Sequence, residues 1–194
     1  MNNLSIVLAS GSPYRRELLG RLGIPFESWS PDIDEGALPG EEPAQTAERL
    51  ARSKARAAAQ HRPGSLIIGC DQVAEVGGVP LGKPGTLERA RAQLAQLSGR
   101  EALFHTGLAL LHAPSGREQV RVVTTDVAFR RLDAGEIERY LAREPALDCA
   151  GSAKSEGLGI ALLSRLGGSD PTALVGLPLI ALAEMLRAEG IAVP

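Results

Sequence analysis

Apolar residues recur along this chain in two rhythms, and the alternation between them outlines the fold. Residues 4–9 (LSIVLA) and 65–70 (SLIIGC) are short, nearly continuous apolar runs with Ile and Val, as expected of strands buried on both faces. The first runs through a polar turn, SGSP, into a helical pattern over Tyr14–Leu22, with Leu18, Leu19 and Leu22 as its apolar stripe. Ser12 suits the N-cap and Pro13 the first turn. A second helix is predicted from about Ala44 to Gln60, built on Ala, Arg and Leu.

After Cys70 the segment VAEVGGVPLG reads as a hairpin turning at Gly77-Gly78. Thr86 caps a helix that stops at Ser98-Gly99. Two long strands, Leu103–His112 and Glu118–Phe129, are joined by Pro114-Ser115-Gly116. Asp133 and Glu136 have the spacing of a capping box for a helix ending near Arg143. AGSAKSEGLGIALL is a loop of small residues running into a strand, and a last helix covers Pro178 to about Glu189. Strand–helix units mixed with hairpins give an α/β fold with a mixed sheet. No internal repeat or low-complexity segment interrupts it. At about 100–200 residues per domain, 194 residues make one domain, 1–194, of one or two lobes.

Composition narrows the partners. Lys plus Arg total 21 against 23 Asp plus Glu, a formal net charge of −2, too even for a dedicated nucleic-acid binder. Aromatics make up 3% of residues, too few for rows of base-stacking platforms. A single small ligand fits; a nucleic-acid polymer does not. Two cysteines, Cys70 and Cys149, form no disulfide framework, and the N-terminus lacks a basic n-region and a long h-region. The apolar stretch 173–183 contains Gly176 and Pro178 and is far short of a membrane span. A cytoplasmic protein with no membrane role is expected.

Candidate chemistry sits at the turns. Ser10, Gly11, Ser12 and Arg15 place hydroxyls, free N–H groups and a guanidinium at a helix N-terminus, an arrangement that holds phosphate and equally one that merely caps a helix. Asp71 follows a buried apolar strand, where a carboxylate needs partners or the mouth of a site; it suits metal binding, general-base work or a capped turn. Asp32, Asp34 and Glu35, in the acidic Pro/Gly-rich segment 31–45, offer further oxygen ligands of the kind Mg²⁺ takes, or a solvated loop. Lys83 follows the hairpin and is poised to return to the strand ends, and Lys54 lies in an Arg-rich helix; taken singly, each lysine reads as an ordinary surface residue. His61, His105 and His112 have no metal-ligand spacing and read as structural or exposed, and no nucleophile elbow is present.

Taken together, LASGSPYRRELL, DIDE, the helix with Lys54, IIGCDQV, LGKP, LSGR, FHTGLAL, AGSAKSEGLGI and VGLPL resemble the Maf family of nucleotide pyrophosphatases, in order and over essentially the whole chain. The resemblance implies a mixed twisted sheet with flanking helices around a central cleft. It also implies hydrolysis of a nucleoside triphosphate to monophosphate and pyrophosphate with a divalent metal cation (Mg or Mn), a cytoplasmic location and frequent homodimers. By position it assigns Ser10, Ser12, Arg15, Lys54 and Lys83 to the phosphates, Glu35 and Asp71 to the metal, and Asp71 to proton acceptance. Three cations and a divalent metal would together offset a triphosphate and the charge developing on its leaving group.

Tyr14, Gln72 and Glu156 depart from the commoner Maf pattern, which carries Arg, Thr and Gln there. These substitutions are similar to the subfamily that hydrolyses 7-methyl-GTP. N7-methylation gives guanine a delocalised positive charge, so losing an Arg and gaining an aromatic face and a carboxylate would favour it. The rival expectations are a pyrophosphatase for UTP, dTTP or other nucleotides, and a non-catalytic nucleotide-binding regulator of cell division.

Overall fold

The computed structural model describes residues 4–193. These form strands β1 (Ser5–Ala9), β2 (Glu27–Ser28), β3 (Ser65–Val76), β4 (Val79–Leu81), β5 (Glu101–His112), β6 (Arg117–Phe129) and β7 (Leu163–Gly167). The helices are α1 (Pro13–Gly20), α2 (Pro43–His61), α3 (Leu87–Leu97), α4 (Ala134–Arg143) and α5 (Leu179–Ala188). The sheet runs β2-β1-β3-β5-β6-β7, with β4 paired to β3. β1 is parallel to both β2 and β3, while β3–β4 and β6–β7 are antiparallel, so the sheet is mixed as expected of an α/β fold.

Local chemistry explains most boundaries. Ser12 accepts from the Arg15 N–H and caps α1, Thr86 caps α3 through the Arg89 N–H, and Asp133 caps α4 through the Glu136 N–H. The expected box at α4 is only half formed, because Arg130 engages the Glu136 side chain. A complete box instead starts α2, where the Glu42 N–H donates to Gln45 and Pro43 occupies the first turn. Gly77 and Gly78 both take positive φ, 59° and 80°, as a two-residue hairpin turn demands. The loop 150–162 forms two short 3-10 turns before entering β7.

Two compact units can be distinguished by residue content. The first holds residues up to Gln72, Thr106–Val123 and those from Asp170 on; the second holds Val73–His105 and Thr124–Ser169. In the first unit a three-layer core forms. Leu18 and Leu19 of α1 and Leu182, Met185 and Leu186 of α5 pack on Ile6, Leu8, Leu66, Ile68, Leu108 and Leu110. Ala51, Ala55 and Ala58 of α2 pack on Val7, Ala9, Ile67, Ala109 and Leu111. Each fully buried leucine contributes about 1.5–3 kcal/mol, so the leucine face supplies most of the burial energy; the alanine face supplies closeness. Asp170, only 3% exposed, accepts from the N–H groups of Ile180 and Ala181 and from Thr172, satisfying the start of α5 from ten residues upstream.

In the second unit α3 buries Ala90, Leu94 and Leu97, and α4 buries Ile137, Tyr140 and Leu141. His105 is buried there, with its ring nitrogens 3.0 Å from Thr124 Oγ1 and 3.0 Å from Glu75 Oε1. His61 lies against Trp29, with ring centroids 4.7 Å apart, and His112 meets Ser115. All three histidines are thus engaged within the fold, in keeping with a structural reading. No helix among the described residues is long and apolar enough to cross a membrane.

Candidate active site

Strand alternation sends the side chains of β3 into two environments. Leu66, Ile68 and Cys70 join the leucine layer, whereas Ile67 joins the alanine layer beneath α2. Asp71 continues the α2-facing series. A Cβ on Gly69 would collide with the Ala51 carbonyl oxygen, and one on Gly107 with the Ala47 carbonyl oxygen, so the α2 backbone lies directly on β3 and β5. Lys54, nearly one turn beyond Ala51, is thereby carried onto Asp71.

The Lys54 Nζ lies 2.5 Å from Asp71 Oδ1 and 2.6 Å from Glu35 Oε1. Lys54 is 6% exposed and Asp71 8%, so this is a buried ion pair at which Glu35 arrives from the more exposed acidic loop. Lys54, ordinary by sequence, is one of the least expected burials in the chain. By sequence Asp71 stands at the end of the 65–70 strand. The strand instead continues to Val76. The polar pair is tolerated because Lys54 meets Asp71, and the Gln72 amide nitrogen donates to Thr106 Oγ1 and the carbonyls of Ala173 and Leu174.

The Ser10–Arg15 turn leaves β1 beside this pair, since Ala9 is in register with Gly69. Ser12 N–H donates to Ser10 Oγ at 3.2 Å, and the Arg15 Nη1 reaches the same hydroxyl at 3.4 Å. Arg15 Nε donates to the Gly176 carbonyl at 2.9 Å, which aims the guanidinium; Gly176 has φ 124°, a conformation suited to glycine. The Cys70 thiol donates to that carbonyl too, at 3.0 Å. Burial pushes this thiol up to about 11, so it is an inert donor. Hydroxyls, a guanidinium and helix N–H groups at the end of a parallel strand form an arrangement that receives phosphate.

Within the first unit the structure therefore brings Glu35, Lys54 and Asp71 together and gathers Ser10, Ser12 and Arg15 on one turn. Tyr14 is half-buried in the first turn of α1, and Gln72 is half-buried with its amide nitrogen committed to the 173–174 segment. Lys83 and Glu156 are exposed residues of the second unit, Lys83 after β4 and Glu156 between the two 3-10 turns. The Asp71 and Glu35 carboxylates suit a Mg²⁺ or Mn²⁺ ion chemically: both are hard oxygen donors, and two against one ammonium leave negative charge to neutralise. Among the described residues no group of three or more His, Cys, Asp or Glu could hold a metal, so water and substrate oxygens would complete its shell. A depression of about 590 Å³ on the outer face of α2 includes neither Asp71 nor Lys54, and its Arg49, Arg52 and Arg56 are already engaged by glutamates.

Sequence reasoning passed over several contributors. Gly69 and Gly107 set the α2 approach, and their signal was glycine inside strand patterns. The Gly176 carbonyl and Thr106 hydroxyl left no such signal, since their role is to receive side chains distant in sequence.

A family model described as Maf-like protein matches residues 5–189. A 7-methyl-GTP pyrophosphatase of Polaromonas sp. is 57% identical over 187 residues, covering 96% of this chain and 85% of that protein. One from Xanthomonas campestris pv. campestris is 56% identical over 189 residues, 97% of this chain and 98% of that protein. One from Aromatoleum aromaticum is 54% identical over 194 residues, the whole of both chains.

Proposed function

The chain belongs to the Maf family, and from that premise we propose that it is a nucleoside triphosphate diphosphatase that hydrolyses 7-methyl-GTP to 7-methyl-GMP and pyrophosphate, keeping the methylated nucleotide out of RNA. The observation that carries this reading is Asp71, a buried carboxylate held on Lys54 beside Glu35 and next to the Ser10–Arg15 turn. A pure binding protein has no need of a base there.

In this reading Ser10, Ser12, Arg15 and the first N–H groups of α1 bind and orient the phosphates. Asp71 takes the proton of a water whose oxygen attacks the α-phosphorus. The α–β bridging P–O bond breaks, and pyrophosphate leaves with the electron pair. Lys54 holds Asp71 in place and balances charge, and Lys83 is a further cation that the family pattern assigns to the phosphates. Glu35 and Asp71 would hold a divalent metal, which when bound supplies charge neutralisation at the phosphate oxygens. Tyr14 and Glu156 are assigned to base preference by their positions in the family pattern, since an aromatic face and a carboxylate each suit a positively charged ring. Gln72 contributes by fixing the Ala173–Leu174 backbone.

The test is a panel of methylated and unmethylated nucleotides incubated with Mg²⁺ and read for both monophosphate and pyrophosphate. Preference for 7-methyl-GTP with pyrophosphate release is expected; orthophosphate release contradicts the cleavage site. Glu156→Gln with Tyr14→Arg should move preference toward pyrimidine triphosphates, and an unchanged substrate ratio removes both from the specificity assignment.

A further inference from the structure

The segment between Trp29 and Pro43 has neither helix nor strand, yet it presents Glu35 to a buried lysine. Something must hold it, because a loose loop delivers a carboxylate only part of the time. Its first end is fixed where the Trp29 N–H donates to the Leu8 carbonyl at 2.9 Å. The other end is fixed by one arginine. Arg49 Nε donates to Glu41 Oε1 at 2.6 Å and its Nη2 to Glu41 Oε2 at 2.8 Å, a two-pronged pair. The same Nη2 donates, at 2.8 Å, to the carbonyl of Gly36, the residue that follows Glu35. Glu41 in turn accepts from the Leu38 N–H at 3.1 Å and from Thr46 Oγ1 at 2.9 Å.

We infer that Arg49 and Glu41 are positioning residues that fix the Gly36 carbonyl to α2, and so hold the neighbouring Glu35 on Lys54 and Asp71. Residues five apart on a helix are separated by roughly 140° around its axis, so Lys54 faces the sheet while Arg49 faces the loop from the same rigid rod. One helix therefore carries both halves of the arrangement. Neither residue touches substrate in this account. Lysine cannot replace Arg49, because a single ammonium lacks the planar fork that meets a carboxylate and a carbonyl together. The inference rests on the reading of Glu35, Lys54 and Asp71 as the reacting site.

The experiment is a double-mutant cycle with a second, activity-independent measurement. Arg49→Gln should lower kcat/KM for 7-methyl-GTP about 10- to 100-fold, and Arg49→Lys should restore little of it. In a Glu35→Gln background the same change should add less than about a two-fold loss, because the group being positioned is already gone. Equal losses in both backgrounds overturn the inference. Amide hydrogen exchange on Arg49→Gln should speed up across residues 36–41 while residues 50–58 of α2 keep their protection; unchanged exchange in the loop, or equal acceleration in both segments, also overturns it. If the wild-type protein releases no pyrophosphate from any nucleotide, the proposed function fails, and the exchange measurement alone decides the clamp.

Discussion

The two faces of β3 are built on opposite principles. Toward α1 and α5 the strand offers Leu66, Ile68 and Cys70 to a layer of leucines, where energy comes from the apolar area removed from water. Toward α2 it offers Ile67, Gly69 and Asp71 to a layer of alanines, where the helix backbone rests on the strand. The leucine face can lose a methyl group and keep its geometry. The alanine face has no such slack, and the close approach delivers a buried lysine onto Asp71. On the proposed function, stability and reactivity are thus sorted onto opposite sides of one strand, one residue apart.

The largest expected effect removes the chemistry while leaving the packing. Asp71→Asn keeps the volume and leaves Lys54 its Glu35 partner, so the melting temperature should change little. Turnover should fall about 10²- to 10⁴-fold, the usual worth of a positioned general base, while nucleotide binding is retained. Steady-state rates and equilibrium binding check both halves; full activity in this variant would sink the role given to Asp71.

Next in size is a contrast between neighbours. Gly69→Ala adds one methyl group against the backbone of Ala51 and Ala55, which cannot yield as a side-chain tip can. It should cost about 1–3 kcal/mol from overpacking, and a helix lifted by even 1 Å could reduce kcat/KM about 100-fold. Ile68→Ala, one residue away on the other face, should cost more stability, about 2–5 kcal/mol, yet leave the kcat/KM of the folded molecules near that of the wild type. Chemical denaturation alongside kinetics separates the two. If Gly69→Ala lowers stability alone, the close approach is not what delivers Lys54.

That contrast also marks what could be seen in the sequence. Capping residues Ser12, Thr86 and Asp133 and the Gly77-Gly78 turn act on neighbours within a few positions, so their signals were intact. The same holds for the Ser10–Arg15 turn, which is a local structure. Asp71 reads as a strand end by sequence yet stands in mid-strand, because its partner comes from a helix 17 residues upstream. Lys54 has no local mark of burial at all. Arg49 reaching Gly36, Gln72 reaching Ala173 and Asp170 reaching Ile180 are likewise contacts that exist only after the layers assemble. Resemblance placed Lys54 and Glu35 at the site, whereas hydrophobic periodicity alone placed neither.

The smallest effect probes the leucine face, through Cys70. Its thiol, fully buried and donating to the Gly176 carbonyl, is pushed from 9.0 to about 11. A folded value raised above the unfolded one means that the contribution to stability is complete below about pH 9, where the thiol is neutral in both states. It is lost as pH rises from 9 to 11, because the unfolded chain releases the proton and the folded chain does not. Two units correspond to about 2–3 kcal/mol at most. Cys70→Ala removes this titration along with the hydrogen bond and some packing. The variant should be less stable than the wild type at pH 7 by about 1 kcal/mol, and the gap should narrow, then reverse, toward pH 11. Cys149, also raised, to about 12, is present in both proteins and cancels from the difference. Urea unfolding of the pair between pH 7 and 11 measures the gap directly. A gap independent of pH would mean that the thiol ionises as readily inside the leucine layer as outside it, and the division of β3 into a sealed face and a reactive face would lose its sealed half.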